Sequence, residues 1–264
     1  MNYINGEAME TRKISIITPS YQQGKYIERA IKSVLNQNYS NLEHIIIDGG
    51  SDDGTLDILK RYPHLRWISE KDEGQSDALN KGFQMASGEI IGWLNCDDYY
   101  EKDIFGRVMQ AFEDPETDAV YGQNYFIDVN GNIVGRKYPN EPNRLVACFY
   151  CYIPTTSFFF RRNLLSDRDF IDKNFDITMD KELFARLFSE QCRMRYLREP
   201  LAYFMWHEDN KSAKSPRVKK ICQKESIEIM NRYFFNFRRL PDRIQFLLQR
   251  LFYYIAILRR KTIM

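Results

Sequence analysis

Glu89-Ile-Ile-Gly-Trp-Leu-Asn-Cys-Asp-Asp98 carries an apolar segment straight into two adjacent carboxylates. Asp97 and Asp98 side by side repel each other unless a cation lies between them. Hard oxygen ligands of this kind suit Mg2+ or Mn2+ holding a diphosphate. Ile90, Ile91, Trp93 and Leu94 lack the alternation of a half-exposed strand, so a strand covered on both faces is expected. In an open α/β sheet, ligands collect outside the carboxyl ends of such strands, where Asn95, Asp97 and Asp98 would fall. Taken alone, the Asp-Asp pair could equally cap the helix expected near Lys102.

The elements that must position these carboxylates lie upstream. Ile14 to Thr18 reads as a buried strand ended by Pro19, which cannot donate to a sheet ladder. Ile27, Ala30, Ile31, Val34 and Leu35 have helical spacing, and Asn38 to Asn41 is a turn cluster. A second buried strand, Glu43 to Asp48, leads through Gly49-Gly-Ser-Asp-Asp-Gly-Thr55 into a helix over Leu56 to Tyr62. Such a βαβα opening predicts parallel strands with right-handed crossovers. Asp48, at a strand end, could accept a hydrogen bond from a base N–H or a ribose hydroxyl. Arg66 to Ser69 predicts a short third strand, followed by the carboxylate-rich loop Glu70 to Asp77. Ala78, Leu79, Gly82, Phe83 and Met85 then predict a helix that stops at Ser87-Gly88, with Gly88 as a left-handed cap. No Gly-x-Gly-x-x-Gly or Gly-x-x-x-x-Gly-Lys-Ser/Thr follows the first strand, which sets aside ordinary dinucleotide and P-loop chemistry.

Composition bounds the rest. With 264 residues and 44% hydrophobic side chains the chain can fill a large core. Its net charge of +2 conceals an asymmetry: residues 210–264 hold 14 Lys/Arg against 3 Asp/Glu, a net of +11, which leaves −9 on residues 1–209. Five cysteines without a disulfide framework favour a reducing compartment, and Cys148 and Cys151 are expected to be free thiols rather than a zinc site. Met1 to Arg12 is expected to be a frayed tail, not a signal peptide. The apolar run Leu251 to Leu258 is far shorter than the roughly 20 residues a membrane span needs.

Four segments in order carry a resemblance: Ile16-Ile-Thr-Pro-Ser-Tyr21, Ile47-Asp-Gly-Gly-Ser-Asp-Asp-Gly-Thr55, Asp72-Glu-Gly-Gln-Ser-Asp-Ala-Leu-Asn-Lys-Gly82 and Gly88-Glu-Ile-Ile-Gly-Trp-Leu-Asn-Cys-Asp-Asp98. Together they resemble glycosyltransferase family 2, the inverting sugar-nucleotide enzymes of the GT-A fold. The match is close over about the first 100 residues and looser to about Ser212. It implies an α/β fold, a Rossmann-like, mostly parallel sheet flanked by helices. It also implies that Pro19, Ser20 and Tyr21 pack on the nucleotide base, that Asp48 reads it, and that Asn95 and Asp97 lie near the ribose or sugar. By the same resemblance Asp98 is a metal ligand for Mn2+ or Mg2+, and Asp77, Asn80 and Lys81 contact the donor sugar or diphosphate. A divalent cation fits the chemistry, because a departing nucleoside diphosphate gathers negative charge.

In the second half, Ala119 to Gly122 and Tyr125 to Val129 read as strand, with a hairpin at Asn130-Gly131. Ile153 to Arg162 resembles the strand after the family's acceptor loop, with Thr155 and Thr156 where many relatives carry His or Gln. Phe175-Asp-Ile-Thr-Met-Asp180 matches the segment that supplies the catalytic base, Asp180, which is also a good helix N-cap; Asp176 and Glu182 are fallbacks. His207 stands where some relatives supply a further metal ligand. The domain expectation is a tail over 1–12, a GT-A domain over 13–212 (nucleotide-sugar half 13–100, acceptor half 101–212) and a basic, aromatic, helical extension over 213–264. A last helix opening at Pro241-Asp242 would pack on the domain, on a second copy in a homodimer, or on an anionic membrane surface. The expected location is cytoplasmic, free or peripheral on the inner face of the membrane, with no nucleic-acid partner. The expected activity is metal-dependent inverting transfer of a hexose or N-acetylhexosamine from a nucleotide sugar, UDP being the favoured nucleotide, to a saccharide or lipid-linked saccharide in cell-envelope polysaccharide synthesis. The alternatives are a nucleotidyltransferase and a non-catalytic sugar-nucleotide-binding module.

Overall fold

The computed structural model describes residues 12–165, 169–207, 210–211 and 215–233, together with the short ribbon of β1 (Tyr3–Ile4) and β2 (Glu7–Ala8) and isolated positions between 240 and 254. The first half runs β3 (Ile14–Ser20), α1 (Gly24–Leu35), β4 (Leu42–Asp48), α2 (Thr55–Leu59), β5 (Leu65–Ser69), α3 (Gln75–Met85) and β6 (Ile90–Trp93). After it come β7 (Tyr99–Tyr100), α4 (Ile104–Ala111), β8 (Ala119–Ile127), β9 (Ile133–Lys137), α5 (Arg144–Phe149), β10 (Phe158–Arg161), α6 (Met179–Ser189), β11 (Met194–Met205) and α7 (Pro216–Tyr233).

One sheet joins the two halves, in the order β5-β4-β3-β6-β10-β8-β11-β7, with β9 paired to β8. β5, β4, β3 and β6 are mutually parallel, as the alternating strand and helix pattern predicts. β10 runs antiparallel to both β6 and β8, so the second half is mixed. The unalternated runs of β3 and β4 are buried on both faces: Ile45, Ile46 and Ile47 are all fully covered. α3 packs so closely on β3 that a Cβ at Gly82 would lie 2.3 Å from Ile17 Cγ2.

Some local expectations change. Gly88 does not cap α3 in the left-handed region; Ala86 ends that helix in extended conformation. Glycine is required at 88 because a Cβ there would stand 2.5 Å from Ser15 Oγ. Ala119 to Ile127 forms a single strand, and its hairpin turns at Gly131, φ +85. Thr178, not Asp180, is the N-cap of α6, which places Asp180 in the first turn. α7 packs on α5 and α6, and its Ile229 and Met230 are fully buried in the core. Most of the helix expected after Pro241 lies outside the described residues. Among the described residues, no helix is long and apolar enough to cross a membrane.

Candidate active site

The strands β3, β4 and β6 end together at a cavity of about 770 Å³. Pro19, Ser20 and Tyr21 line it beyond β3, Gly49 and Gly50 beyond β4, and Asn95 and Asp97 beyond β6. From the second half come Thr155, Asp176, Ile177, Met179, Asp180 and Phe204. Tyr21 is 62% exposed, an open aromatic face at the wall. Burial of the three strand ends follows from parallel pairing in register, Ser20 opposite Asp48 and Ile17 opposite Trp93.

The adjacent carboxylates separate. Asp97 lines the cavity, and its Oδ2 lies 3.0 Å from His207 Nε2 and accepts from Asn210 Nδ2 at 3.1 Å. The His207 ring is stacked on Tyr26 of α1, with centroids 4.8 Å apart. Asp98 turns inward and is 1% exposed; it accepts from the Met205 N–H at 3.0 Å and from Asn95 Nδ2 at 3.2 Å. Burial and the neighbouring Asp97 charge hold the Asp98 carboxyl well above the usual carboxylate range. The adjacent side chains part in the turn that follows β6, Asp97 toward the cavity and Asp98 toward the core.

Asp97 and His207 carry donor atoms of the kind that would hold a divalent cation, and in this structure their Oδ2 and Nε2 atoms are hydrogen-bonded to each other at 3.0 Å. Among the described residues no cluster of three His, Cys, Asp or Glu side chains completes a protein cage. An ion held this way would take its remaining ligands from water and from a bound diphosphate, as Mg2+ commonly does.

Asp48 is bound by the loop that follows it. Its carboxylate is fully buried and accepts from the Gly50 and Ser51 N–H groups, Ser51 Oγ and Ser69 Oγ, at 2.6 to 3.1 Å. It shapes the loop after β4 and does not line the cavity. The carboxylate that faces the cavity beside that loop is Asp72, which the motif contained but periodicity gave no reason to select; a Cβ at Gly49 would stand 3.0 Å from its Oδ2. Asp77, Asn80 and Lys81 do not line the cavity either. Asp77 is paired with Lys173 at 2.6 Å and Lys81 at 3.2 Å, and Lys81 also with Glu70. Asn80 exchanges two hydrogen bonds with the backbone of Ile171, at 2.8 and 2.9 Å, and so ties the two halves together. Asn95 is in the wall, its Oδ1 accepting from Trp93 Nε1 and Gln75 Nε2.

Asp180 faces the same cavity from α6. Its Oδ2 accepts from the Cys151 thiol at 3.2 Å and its Oδ1 from the Lys181 N–H at 2.7 Å. Of the fallbacks, Asp176 lines the mouth in an ion pair with Lys211, whereas Glu182 is fully buried and bound by Arg186 and Tyr233. Cys148 and Cys151 are free thiols. Asn210, Lys211 and Phe204 had no motif to reveal them; the return of β11 to the cavity brings them there.

The chain belongs to glycosyl transferase family 2, whose model matches residues 15–188. It is 27% identical to an uncharacterized glycosyltransferase of Nostoc sp. over 251 residues, 85% of this chain and 75% of that protein. It is 36% identical to the chondroitin synthase of Escherichia coli over 148 residues, 53% of this chain but 21% of that one. The hyaluronan synthase of Pasteurella multocida is 26% identical over 87% of this chain and 24% of its own length. The chain thus spans only about a quarter or less of the two synthases. Among solved structures, TarS of S. aureus in complex with UDP-GlcNAc superposes with a TM-score of 0.64 at 22% identity, over 83% of this chain and 67% of that one. A mannosyltransferase from Pyrobaculum calidifontis in complex with GDP-Man and Mn2+ gives 0.60 at 16%, over 83% and 70%. These likenesses establish the fold, a mixed, mostly parallel sheet flanked by helices in the GT-A arrangement.

Proposed function

We propose that the protein transfers a sugar, with inversion, from a nucleoside diphosphate donor to a saccharide or lipid-linked saccharide in cell-surface polysaccharide synthesis. The observation that carries this reading is a single cavity whose lining includes both Asp97, which His207 and Asn210 hold, and Asp180. Tyr21 offers its face to the base, Asp72 its carboxylate to a base N–H, and Asn95 its amide to the ribose or sugar. Asp97 and His207 would hold Mn2+ or Mg2+, which supplies charge to stabilise a departing diphosphate. Asp180, across the cavity, accepts the proton of the acceptor hydroxyl as that oxygen attacks from the face opposite the leaving group. The thiol of Cys151 keeps one Asp180 oxygen engaged and so fixes the direction of the other. UDP is the favoured nucleotide, supported by the UDP-GlcNAc complex of TarS. Screening UDP- and GDP-sugars for Mn2+-dependent release of the nucleoside diphosphate tests this: one UDP-sugar should be turned over, and EDTA should stop it. Undiminished turnover in EDTA would overturn the metal assignment, and release of pyrophosphate from a nucleoside triphosphate would overturn the reaction.

A further inference from the structure

Glu225 lies on α7, outside the matched family segment and outside the cavity lining, yet its carboxylate closes on the backbone just ahead of Asp180. Oε1 accepts the Asp176 N–H at 2.9 Å; Oε2 accepts the Ile177 N–H at 3.2 Å, the Thr178 N–H at 2.8 Å and Thr178 Oγ1 at 2.9 Å. Three consecutive backbone donors and a hydroxyl therefore converge on one side chain 47 to 49 residues away. The same face of the helix continues the grip. Arg232 pairs with Asp172 at 2.6 Å and lies over the Phe175 ring, and Tyr233 donates to Glu182 at 2.5 Å. Positions 225, 229, 232 and 233 recur at helical spacing, so one face of α7 holds residues 172–182.

Residues 172–175 are fixed by the Lys173–Asp77 ion pair, by Asn174 bonding to Asp172 and by the buried Phe175 ring, whereas the N–H groups of 176–178 are bound by Glu225. Residues 172–178 form no helix or strand, and among them Asp176 and Ile177 face the cavity. Backbone N–H groups left without a partner would be satisfied by water in many arrangements, whereas a carboxylate that accepts three in a row selects one. An anion at this place also favours the start of α6, whose N-terminus carries partial positive charge.

We propose that Glu225 is a positioning residue for the transfer step. By ordering 176–178 it sets the first turn of α6, and with it Asp180, against the acceptor, so that α7 is part of the catalytic apparatus. This rests on Asp180 being the base. Misplacing a reacting group by about 1 Å costs on the order of a hundredfold in rate, while binding at the far wall is untouched.

The test uses the full chain, with Mn2+ and the UDP-sugar that it hydrolyses fastest. It compares Glu225→Ala, Glu225→Gln, Asp180→Asn and the Asp180→Asn/Glu225→Ala double variant, reading kcat, KM, UDP affinity by calorimetry, and Tm. Glu225→Ala should lower kcat about ten- to a hundredfold with UDP affinity within about twofold of wild type. Glu225→Gln, which keeps one accepting oxygen and the side-chain shape, should recover part of the loss and serves if the alanine variant does not fold. The double variant should be no slower than Asp180→Asn, since both act on one group. A wild-type kcat in Glu225→Ala, or a fall in UDP affinity equal to the fall in rate, overturns the proposal. A normal rate in Asp180→Asn refutes the base assignment, and a slow Glu225→Ala beside it upholds the ordering of 176–178 for a different catalytic group.

Discussion

Glu43, at the amino end of β4, and Asp98, beyond the carboxyl end of β6, are buried carboxylates of one sheet. Burial alone would raise both. At Glu43, donors from Ser15, Ser87, Gly88, Lys13 and Arg66 surround the oxygens, and the balance falls to about 2. At Asp98 the donors among the described residues are the Met205 N–H and the Asn95 amide, Asp97 adds a like charge, and the carboxyl is pushed up. The amino ends of the strands are electrostatically complete and serve the fold. At their carboxyl ends two neighbouring carboxyl groups meet, and the buried one, Asp98, is held toward its neutral, protonated form beside Asp97.

The strongest way to break that comparison is to remove each carboxylate of the pair at the carboxyl ends. Asp97→Asn should abolish Mn2+-dependent nucleotide release and weaken UDP binding in Mn2+, whereas Asp98→Asn should leave that binding within about threefold, because Asp98 faces the core. Calorimetry with UDP and Mn2+ reads both; the reverse order would make Asp98 the ligand.

Next in size is Asp180→Asn. Its turnover should drop by about two to four orders of magnitude with UDP affinity kept, the usual worth of a placed general base. Parallel loss of affinity would mean that Asp180 touches the donor.

A smaller effect belongs to the completed end. Glu43→Gln should leave nucleotide binding intact but cost about 1–3 kcal/mol of stability at neutral pH. Since folding depresses the wild-type carboxyl, its contribution is present above about 4.5 and is lost as pH falls toward about 2. Denaturant titrations at pH 7 and pH 3 should therefore show the two proteins converging in acid.

The smallest effect concerns Lys181, which burial pushes down to about 8. Below that pH both folded and unfolded forms carry the proton, and the full cost of burying the charge is present; it is relieved as pH rises from about 8 toward 10.5. Lys181→Met should thus be more stable at pH 7 by about 1–3 kcal/mol, with the gap closing by pH 10. A gap that widens with pH would show the amine to be favourably paired.

What the chain order determined by itself was the parallel core and the end of the sheet at which chemistry sits. Short, β-branched, unalternated runs such as Ile45 to Ile47, bounded by turn residues, read as strands buried on both faces, and a buried strand that breaks into Asn95 and Asp97 places them beyond its carboxyl end. Family motifs likewise singled out the segment around Asp180, which the fold brings to the same cavity. Which of two neighbouring side chains faces a ligand is a different kind of fact. It depends on the half-turn of backbone after β6, and on whether a group from elsewhere, such as the Met205 N–H or Ser69 Oγ, has already filled the oxygens. Those partners stand 107 and 21 residues away, so only the folded chain shows Asp97 facing the cavity while Asp98 and Asp48 are bound to groups inside the protein. The same holds for Glu225: a lone glutamate in a basic helix carries no signal until packing lays it, 47 residues on, across three consecutive backbone N–H groups.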